Sequence, residues 1–338
     1  MAANLVKAIL WAIDIALDAS HGYDQEHRYG PDYDCSSLVA AALIQGGFSG
    51  ISPGMYTGNE YSQLTAAGFV PVTPIGQDIR AGDVFFYHQS GNIGHTCMAI
   101  NSYQIVEASG NEHGGATGGT TGDQTGQEIR VINYQGGNWD YQMRYVERGY
   151  YIAGPGVMTQ AMMENNADII CNYLVREGWT PNAIAAFLGN AQVDSDINPG
   201  HWENYDSSDP SNGFGIVQWK PSTDYTTWAA MHGYAPDNGT GQLLWIATES
   251  VNSGYWQPTV EYPVTFLAFI LSEYSPADLA SVWAYNFARC DPGQVSSRSG
   301  AANAWYQWMG GKVLPTDFPK WLLFKFVERR RRQDGRSV

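Results

Sequence analysis

The stretch YDCSSLVAAALIQGG, residues 33–47, joins a polar start to an apolar run that two glycines close. It predicts a helix that begins at Cys35 and ends at Gly46 and Gly47, because glycine favours the position just beyond a helix C-terminus. A thiol at a helix start lies beside the partial positive charge of free backbone N–H groups, which lowers its pKa and favours the reactive thiolate. Cys35 is therefore a candidate nucleophile.

A candidate base and a candidate orienting group lie on the two strand-like runs HTCMAI and QIVEAS. His95 starts the first run, and Glu107 lies on the second, across a turn at 101–103. A nucleophile, a base and a group that orients the base form a site that attacks a carbonyl and releases the acyl-enzyme with water. The plainer alternative is that Cys35 is a small buried apolar residue, as lone cysteines often are.

The composition predicts a folded chain of two domains. The chain has 338 residues, and domains typically contain roughly 100–200. Hydrophobic residues make up 44% and aromatic residues 13%, which excludes a disordered chain. The formal net charge of -15 argues against a non-specific nucleic-acid binder, which needs basic surface to neutralise phosphates.

The four cysteines, Cys35, Cys97, Cys171 and Cys290, show neither a CxxC pair nor a histidine at zinc-ligand spacing. They are also too few for a disulfide framework. No metal and no cofactor is therefore predicted, and synthesis in a reducing compartment is favoured. Cys97 and Cys171 lie in apolar runs and are predicted to be core residues.

The secondary-structure signals differ between the two halves of the chain. The first half alternates helix and strand patterns, and the second half has the pattern of helices. The opening run AILWAIDIALDA carries Asp14 and Asp18, so it predicts an amphipathic packing helix rather than a signal peptide. Seven glycines between Gly110 and Gly126 predict a long mobile loop. The Gly-Pro-Gly of 154–156 is a natural boundary.

Residues 1 to about 150 resemble the NlpC-type papain-like peptidoglycan hydrolases, especially their phage-amidase branch. The resemblance rests on the segments DCSSLV, AGDVFFY and GHTCMAINSYQIVEAS. It implies an α+β papain-like cysteine hydrolase with Cys35 as nucleophile and His95 as base. Glu107 falls on the third polar position, where that family more often has His, Asn or Gln. Tyr23 matches a tyrosine beside the nucleophile, which implies an oxyanion or substrate-binding role.

The second half resembles the phage-tail lysozyme-like domain over residues 158–310, on AAFLGNAQVDSDINPG followed by SNGFGIVQWKPS. The resemblance implies a mainly α fold in which a carboxylic acid protonates the glycosidic oxygen. The family's glutamate falls on Asp194, which is one methylene shorter. Three interpretations remain open: Asp194 is a working acid, the domain is weakened, or it is a sugar-binding remnant.

Other residues of the second half are weaker candidates. Trp219 is a candidate for stacking on sugar, as are Trp202 and Trp228, with a place in the core as the alternative for each. Candidates for a second carboxylate are Asp196, Glu203, Asp206 and Asp209. That cluster is also compatible with a calcium loop, although it lacks the EF-hand arrangement, or with a plain solvated loop.

Together these observations predict a bifunctional phage enzyme that degrades peptidoglycan. Residues 1–153 form the cysteine amidase or endopeptidase, 154–157 a linker, 158–310 the glycosidase and 311–338 a basic tail. The tail is predicted to contact an anionic surface or another virion protein, or to be a solvated terminus. The predicted location is the virion tail, or the host cytoplasm and then the cell wall at lysis. The alternatives are a tail or wall-binding protein with one or both sites decayed, and a host enzyme of wall remodelling.

Overall fold

The computed structural model describes residues 3–88 and 94–311, which form two compact units. The N-terminal unit contains the described residues up to Tyr150 together with Cys171–Gly178. The C-terminal unit contains Tyr151–Ile170 and the described residues from Trp179 onward. The first unit is α+β and the second is helical, so the predicted two-domain layout is confirmed at this level. The tail predicted at 311–338 lies outside the described residues, apart from Gly311.

The N-terminal unit is an antiparallel sheet with helices packed against it. Its helices are α1 (Leu5–Leu17), α2 (Cys35–Gln45) and α3 (Glu60–Ala66). Its strands are β1 (Phe69–Pro71), β2 (Val84–His88), β3 (Gly94–Ala99), β4 (Gln104–Ala108), β5 (Ile129–Asn133) and β6 (Tyr141–Tyr145). The strand order is β1-β6-β2-β3-β4-β5. Both α1 and α2 pack on β4, and α2 also packs on β3.

Helix α2 begins where the sequence predicts, because a capping box fixes its first turn. The Asp34 carboxylate accepts the Ser37 backbone N–H at 2.8 Å, and the Ser37 hydroxyl accepts the Asp34 N–H at 2.9 Å. Such reciprocal bonds satisfy donors that a helix start leaves free. Gly46 follows the last residue of the helix, as predicted.

The glycine-rich segment between Gly110 and Gly126 is held by carboxylates that accept backbone N–H groups. Asp32, which is buried, accepts from Gly22 at 2.8 Å and from Gly122 at 3.0 Å through one oxygen. Asp123 accepts from successive N–H groups of residues 125–129. The loop that composition predicted to be mobile is therefore tied to the rest of its unit by hydrogen bonds.

A short piece of the chain from beyond residue 150 completes the N-terminal unit. Asn172 lies near the end of helix α4 (Gln160–Arg176), which begins in the C-terminal unit. Its side-chain oxygen accepts the Leu5 N–H at 2.7 Å, and its amide donates to the Ala3 carbonyl at 2.8 Å and to Glu147 at 2.5 Å. The start of α1 thus depends on a residue far along the chain.

The C-terminal unit is built from helices around an aromatic core. After α4 come α5 (Pro181–Ser195), α6 (Thr223–Met231), α7 (Gly239–Glu249), α8 (Phe266–Ile270), α9 (Pro276–Trp283) and α10 (Val295–Trp308). Short 3-10 turns lie at Glu203–Tyr205 and Pro292–Gln294, and a π turn at Ala284–Ala288 extends α9. The core rings include Trp179, Phe187, Trp256, Phe266, Phe269 and Trp283.

The Gly-Asn pair of the lysozyme-like motif has a packing role at the crossing of α5 and α10. A Cβ at Gly189 would lie 2.5 Å from the Ala302 nitrogen, so only glycine permits this approach. Asn190 is fully buried and donates to the Ala280 carbonyl of α9 at 3.1 Å. Its side-chain oxygen accepts from Arg298 of α10 at 3.1 Å. These two residues fix the distance between three helices.

We expect Asp32→Ala to loosen the glycine-rich segment. The substitution leaves the Gly22 and Gly122 N–H groups without their acceptor, at about 1–3 kcal/mol for each buried donor left unpaired. Hydrogen exchange of these two amides should accelerate, while Asp206→Ala, which removes an exposed carboxylate from the other unit, should leave them unchanged. Unchanged protection in Asp32→Ala would contradict the proposed tie.

Candidate active sites

Cys35 lies in a cleft of the N-terminal unit of about 580 Å³. Tyr23 lines the same cleft, so the structure brings these two predicted site residues together. The other lining residues are Gln25, Arg28, Asp34, Ser36, Tyr56, Thr57, His88, Gly94 and Ala116. Arg28 closes one side through an ion pair with Asp34 at 2.8 Å and hydrogen bonds to Ser36 and the Met55 carbonyl.

His95 and Glu107 are paired on the neighbouring strands β3 and β4; they are not among the residues that line this cleft, which β3 reaches through Gly94. His95 Nε2 and Glu107 Oε2 lie 2.8 Å apart. Burial opposes ionisation of Glu107, but hydrogen bonds from His95 and Arg130 outweigh it and hold the pKa of this carboxyl below its usual value. An ionised carboxylate only accepts hydrogen bonds, so Nε2 is the donor in this contact.

The His95 strand reaches Cys35 through the next residue of β3, Thr96, whose backbone hydrogen-bonds to the thiol. The predicted lowering of the Cys35 pKa is wrong for this structure. Burial raises the pKa to about 12, the Asp34 carboxylate adds to the rise, and backbone hydrogen bonds from Thr96 and Ser36 oppose it. The partial charge of the helix start is thus outweighed by removal of the thiol from water.

A buried acid that the sequence analysis missed lies behind the cysteine. Glu60, the first residue of α3, is fully buried and accepts the Thr96 hydroxyl at 2.7 Å. Its other oxygen is buried without a hydrogen-bond partner. Burial raises the pKa of Glu60 to about 8, against the hydrogen bond from Thr96. The apolar-polar pattern of residues 60–66 is too short to reveal this helix or its acid from sequence.

Asp194 lies in the last turn of α5 and is paired with Arg298 of α10. The Asp194 Oδ1 and Arg298 Nη2 atoms are 2.6 Å apart, and both side chains are largely buried. The second oxygen, Oδ2, is buried without a hydrogen-bond partner. Burial raises the pKa of Asp194 above its usual value, and the hydrogen bond from Arg298 opposes this rise. Arg298 was not predicted, because α10 carries no motif.

Trp219 does not lie with Asp194 in an open groove. Its relative exposure is 0%, and its ring stacks on Tyr225 with centroids 4.3 Å apart. It therefore offers no face to a ligand in this structure and takes the core position that was its alternative. A separate cleft of about 500 Å³ is lined by Trp202 together with Gly154, Pro155, Gly200, Tyr205, Ser207, Phe214, Pro236 and Asp237.

The candidates for a second carboxylate have different surroundings. Glu203 is bound by Lys220 Nζ at 2.8 Å and accepts the Gly213 N–H at 2.9 Å. The hydrogen bond from Lys220 is the main reason that the pKa of Glu203 is lowered. Asp206 and Asp209 are exposed and accept from the serine hydroxyls two residues ahead. Asp196 caps α5 in the left-handed region of backbone conformation.

Within residues 3–88 and 94–311, no cluster of three or more His, Cys, Asp or Glu side chains is arranged to hold a metal ion.

Each half of the chain matches a family of phage cell-wall hydrolases. Residues 7–134 match a family described as bacteriophage peptidoglycan hydrolase, and residues 165–309 match the phage tail lysozyme family. Residues 105–167 match an endolysin-like domain. These matches support a bifunctional phage peptidoglycan hydrolase. The two resemblances predicted from the sequence are confirmed, and a tail protein with decayed sites is not favoured.

A phage protein is similar to part of the chain. Morphogenesis protein 1 of Bacillus phage B103 is 40% identical over 150 residues, which is 44% of this chain. The match spans 40% of that relative. Both the family matches and this relative fit a phage-associated protein. Among the described residues, no helix has the length and apolar character needed to cross a membrane.

The raised pKa of Glu60 predicts a stability that falls with pH. The pKa of Glu60 is about 8 in the folded state, against an ordinary value of 4.5 for the unfolded chain. The protonated carboxyl therefore contributes its full stabilisation below pH 4.5, and this contribution is lost as the pH rises to about 8. In urea unfolding of the N-terminal unit, the wild type should lose on the order of a few kcal/mol more over this range than Glu60→Gln.

Exposed Glu26→Gln is the matched control and should keep the wild-type pH dependence. The amide introduced by Glu60→Gln, buried where Oε2 has no partner, adds an offset that does not vary with pH. Equal pH dependence in the wild type and Glu60→Gln would show that Glu60 does not titrate in this range.

Proposed function

We propose that the chain degrades bacterial peptidoglycan at two kinds of bond. The N-terminal unit cleaves an amide, either the muramyl-L-alanine link or a bond of the stem peptide. The C-terminal unit cleaves the glycan strand. Two observations support the proposal: Cys35 lines a cleft that β3 also reaches through Gly94, and His95 on that strand makes a 2.8 Å hydrogen bond to Glu107.

In the proposed amide reaction, His95 Nδ1 removes the proton from Cys35 as the sulfur forms a bond to the substrate carbonyl carbon. The imidazolium then gives this proton to the leaving amine, and the carbon–nitrogen bond breaks. Water then attacks the thioester carbon with His95 as base, the carbon–sulfur bond breaks, and the imidazolium returns the proton to the Cys35 sulfur. Glu107 orients the imidazole and stabilises its charged form.

The raised Cys35 pKa determines the order of these events. With a pKa of about 12, the resting cysteine is a thiol at neutral pH. The raised pKa therefore favours movement of the proton as the substrate is attacked. Tyr23 keeps its proton because burial raises its pKa further above neutrality, so its hydroxyl is a donor for the carbonyl oxygen as negative charge develops.

In the proposed glycan reaction, Asp194 gives a proton to the glycosidic oxygen as the bond from this oxygen to the anomeric carbon breaks, and water adds to that carbon. Support comes from its burial, which raises its pKa toward the range of a general acid. Glu203 is the second carboxylate that we favour, because Lys220 and the Gly213 N–H keep it ionised and fixed. Trp202 faces a cleft and replaces Trp219 as the proposed sugar contact.

The finer features of fold and location belong to the same proposal. We infer a papain-like fold for residues 1–153 and a lysozyme-like fold for 158–310, with 154–157 as linker. The name of the relative, a morphogenesis protein, supports association with the virion. Contact of the basic residues 311–338 with an anionic surface or another tail protein remains part of the proposal.

Cys35→Ala should abolish amide cleavage and leave glycan cleavage unchanged, because it removes the sulfur that forms the acyl-enzyme. Digests of purified cell walls are assayed for new amino groups and new reducing ends, and mass spectrometry identifies the bonds. Cys290→Ala, in the other unit, is the matched control for amide cleavage. Loss of both activities in Cys35→Ala would overturn the assignment of two independent sites.

Asp194→Asn should abolish release of reducing ends, because an amide cannot donate a proton as an acid does. Asp194→Glu should also lose most activity. Arg298 already contacts Asp194 at 2.6 Å in a packed site, and an added methylene overpacks it. Asp206→Asn, at an exposed position, should behave as wild type. A gain in Asp194→Glu would instead indicate a weakened glutamate site, and equal rates in all variants would place the acid elsewhere.

A further inference from the structure

Glu107 uses its two oxygens for two different partners. Strands β4 and β5 pair Glu107 directly with Arg130, and directly opposite residues of an antiparallel pair lie on one face. Arg130 donates to Oε1 from Nε at 3.0 Å and from Nη2 at 2.7 Å. Oε2 is left for His95 Nε2 at 2.8 Å. The guanidinium therefore fixes the rotation of the carboxylate.

We propose that Arg130 is a positioning residue for amide cleavage: by holding Oε1 of Glu107, it directs Oε2 to His95 and keeps the imidazole proton on Nε2. Nδ1 then stays free to accept the proton of Cys35. The inference rests on the proposed function of the N-terminal unit. It explains how a glutamate serves at a position where the family that this unit resembles more often has His, Asn or Gln.

Arg130 also balances the negative charge of Glu107. A carboxylate with no other partner stabilises the imidazolium, and an imidazolium cannot act as a base. Arg130 supplies the opposite charge from the far side of Glu107. The charged or titratable groups that act on Glu107 are His95 from β3, Arg130 from β5 and, on β3, Cys97. Ser109 adds a weaker contact to Arg130 at 3.4 Å.

The ring of His95 is further confined by aromatic neighbours. Trp139 lies nearly parallel to it with centroids 6.0 Å apart, and Tyr87 lies 6.3 Å away at a tilt. These rings restrict where the imidazole lies, and the hydrogen bond to Glu107 fixes its Nε2. Selection of the tautomer therefore depends on Glu107, and the orientation of Glu107 depends on Arg130.

Arg130→Met should lower kcat for amide cleavage by about tenfold or more and change KM little, because a charge-assisted pair is lost outside the substrate cleft. The acidic limb of kcat/KM should move to higher pH, by about one unit, since the imidazolium is then favoured. Arg130→Lys restores the positive charge but not the pair of guanidinium donors. It should therefore recover the pH profile more fully than kcat.

A double-mutant cycle with Glu107→Gln gives the sharpest test. With Arg130 present, the oxygen of the substituted side chain faces the guanidinium and its NH2 group faces His95. This arrangement requires an unprotonated Nε2, which is the wrong tautomer. In Glu107→Gln/Arg130→Met the oxygen is free to accept from His95, so the double variant should be more active than Glu107→Gln alone. Nitrogen NMR of His95 should report the tautomer of each variant directly.

Arg80→Met is the matched control, because Arg80 is also partly exposed and pairs with carboxylates, Asp78 and Glu177, away from Glu107. It should keep wild-type kcat and pH profile. If the wild type releases no amino groups that depend on Cys35, the proposed function fails. If it does, but Arg130→Met retains the wild-type profile or the double variant is no better than Glu107→Gln, only the role of Arg130 is overturned.

Discussion

The structure depends on carboxylates that are removed from water and given hydrogen-bond donors. The chain is strongly acidic, and burying an acid without a partner costs several kcal/mol. Asp34 starts α2, Asp32 ties the glycine-rich segment, and Glu107 and Asp194 each accept from an arginine. Where the supply of donors is incomplete, as at Oε2 of Glu60 and Oδ2 of Asp194, burial raises the pKa of the acid. The same constraint therefore holds the fold and determines the chemistry.

Each proposed site obtains its arginine from a different helix or strand than its carboxylate. Arg130 reaches Glu107 because two strands pair in one register, and a shift by one residue would turn it to the other face of the sheet. Arg298 reaches Asp194 because Gly189 lets α10 approach α5 closely. In each case an ordinary packing rule sets a distance on which the proposed reaction depends. The proposed sites are thus as precise as the backbone contacts beside them.

The sequence predicted the features that local patterns determine. The helix at Cys35, the strands of His95 and Glu107 and the division into an α+β and a helical half all follow from periodicity and capping. It could not reveal Arg298, because α10 is placed by a tertiary contact and carries no motif. It also misjudged the Cys35 thiol, since the helix start is visible in sequence but the depth of burial is not. For the same reason, the sequence left open whether Trp219 stacks on sugar or lies in the core, where the structure has it.

Helix α4 limits how the coding segments of the two units could be exchanged by recombination. The N-terminal unit is not one uninterrupted segment, since Asn172 supplies three hydrogen bonds to residues at the start of α1 and to Glu147. A recombination event that exchanged the coding sequence at residue 150 would transfer the cysteine cleft without the side-chain amide of Asn172. To keep these hydrogen bonds, an exchange must include both segments of the N-terminal unit or supply an equivalent asparagine. Inheritance of the two halves as modules is therefore constrained by one side chain.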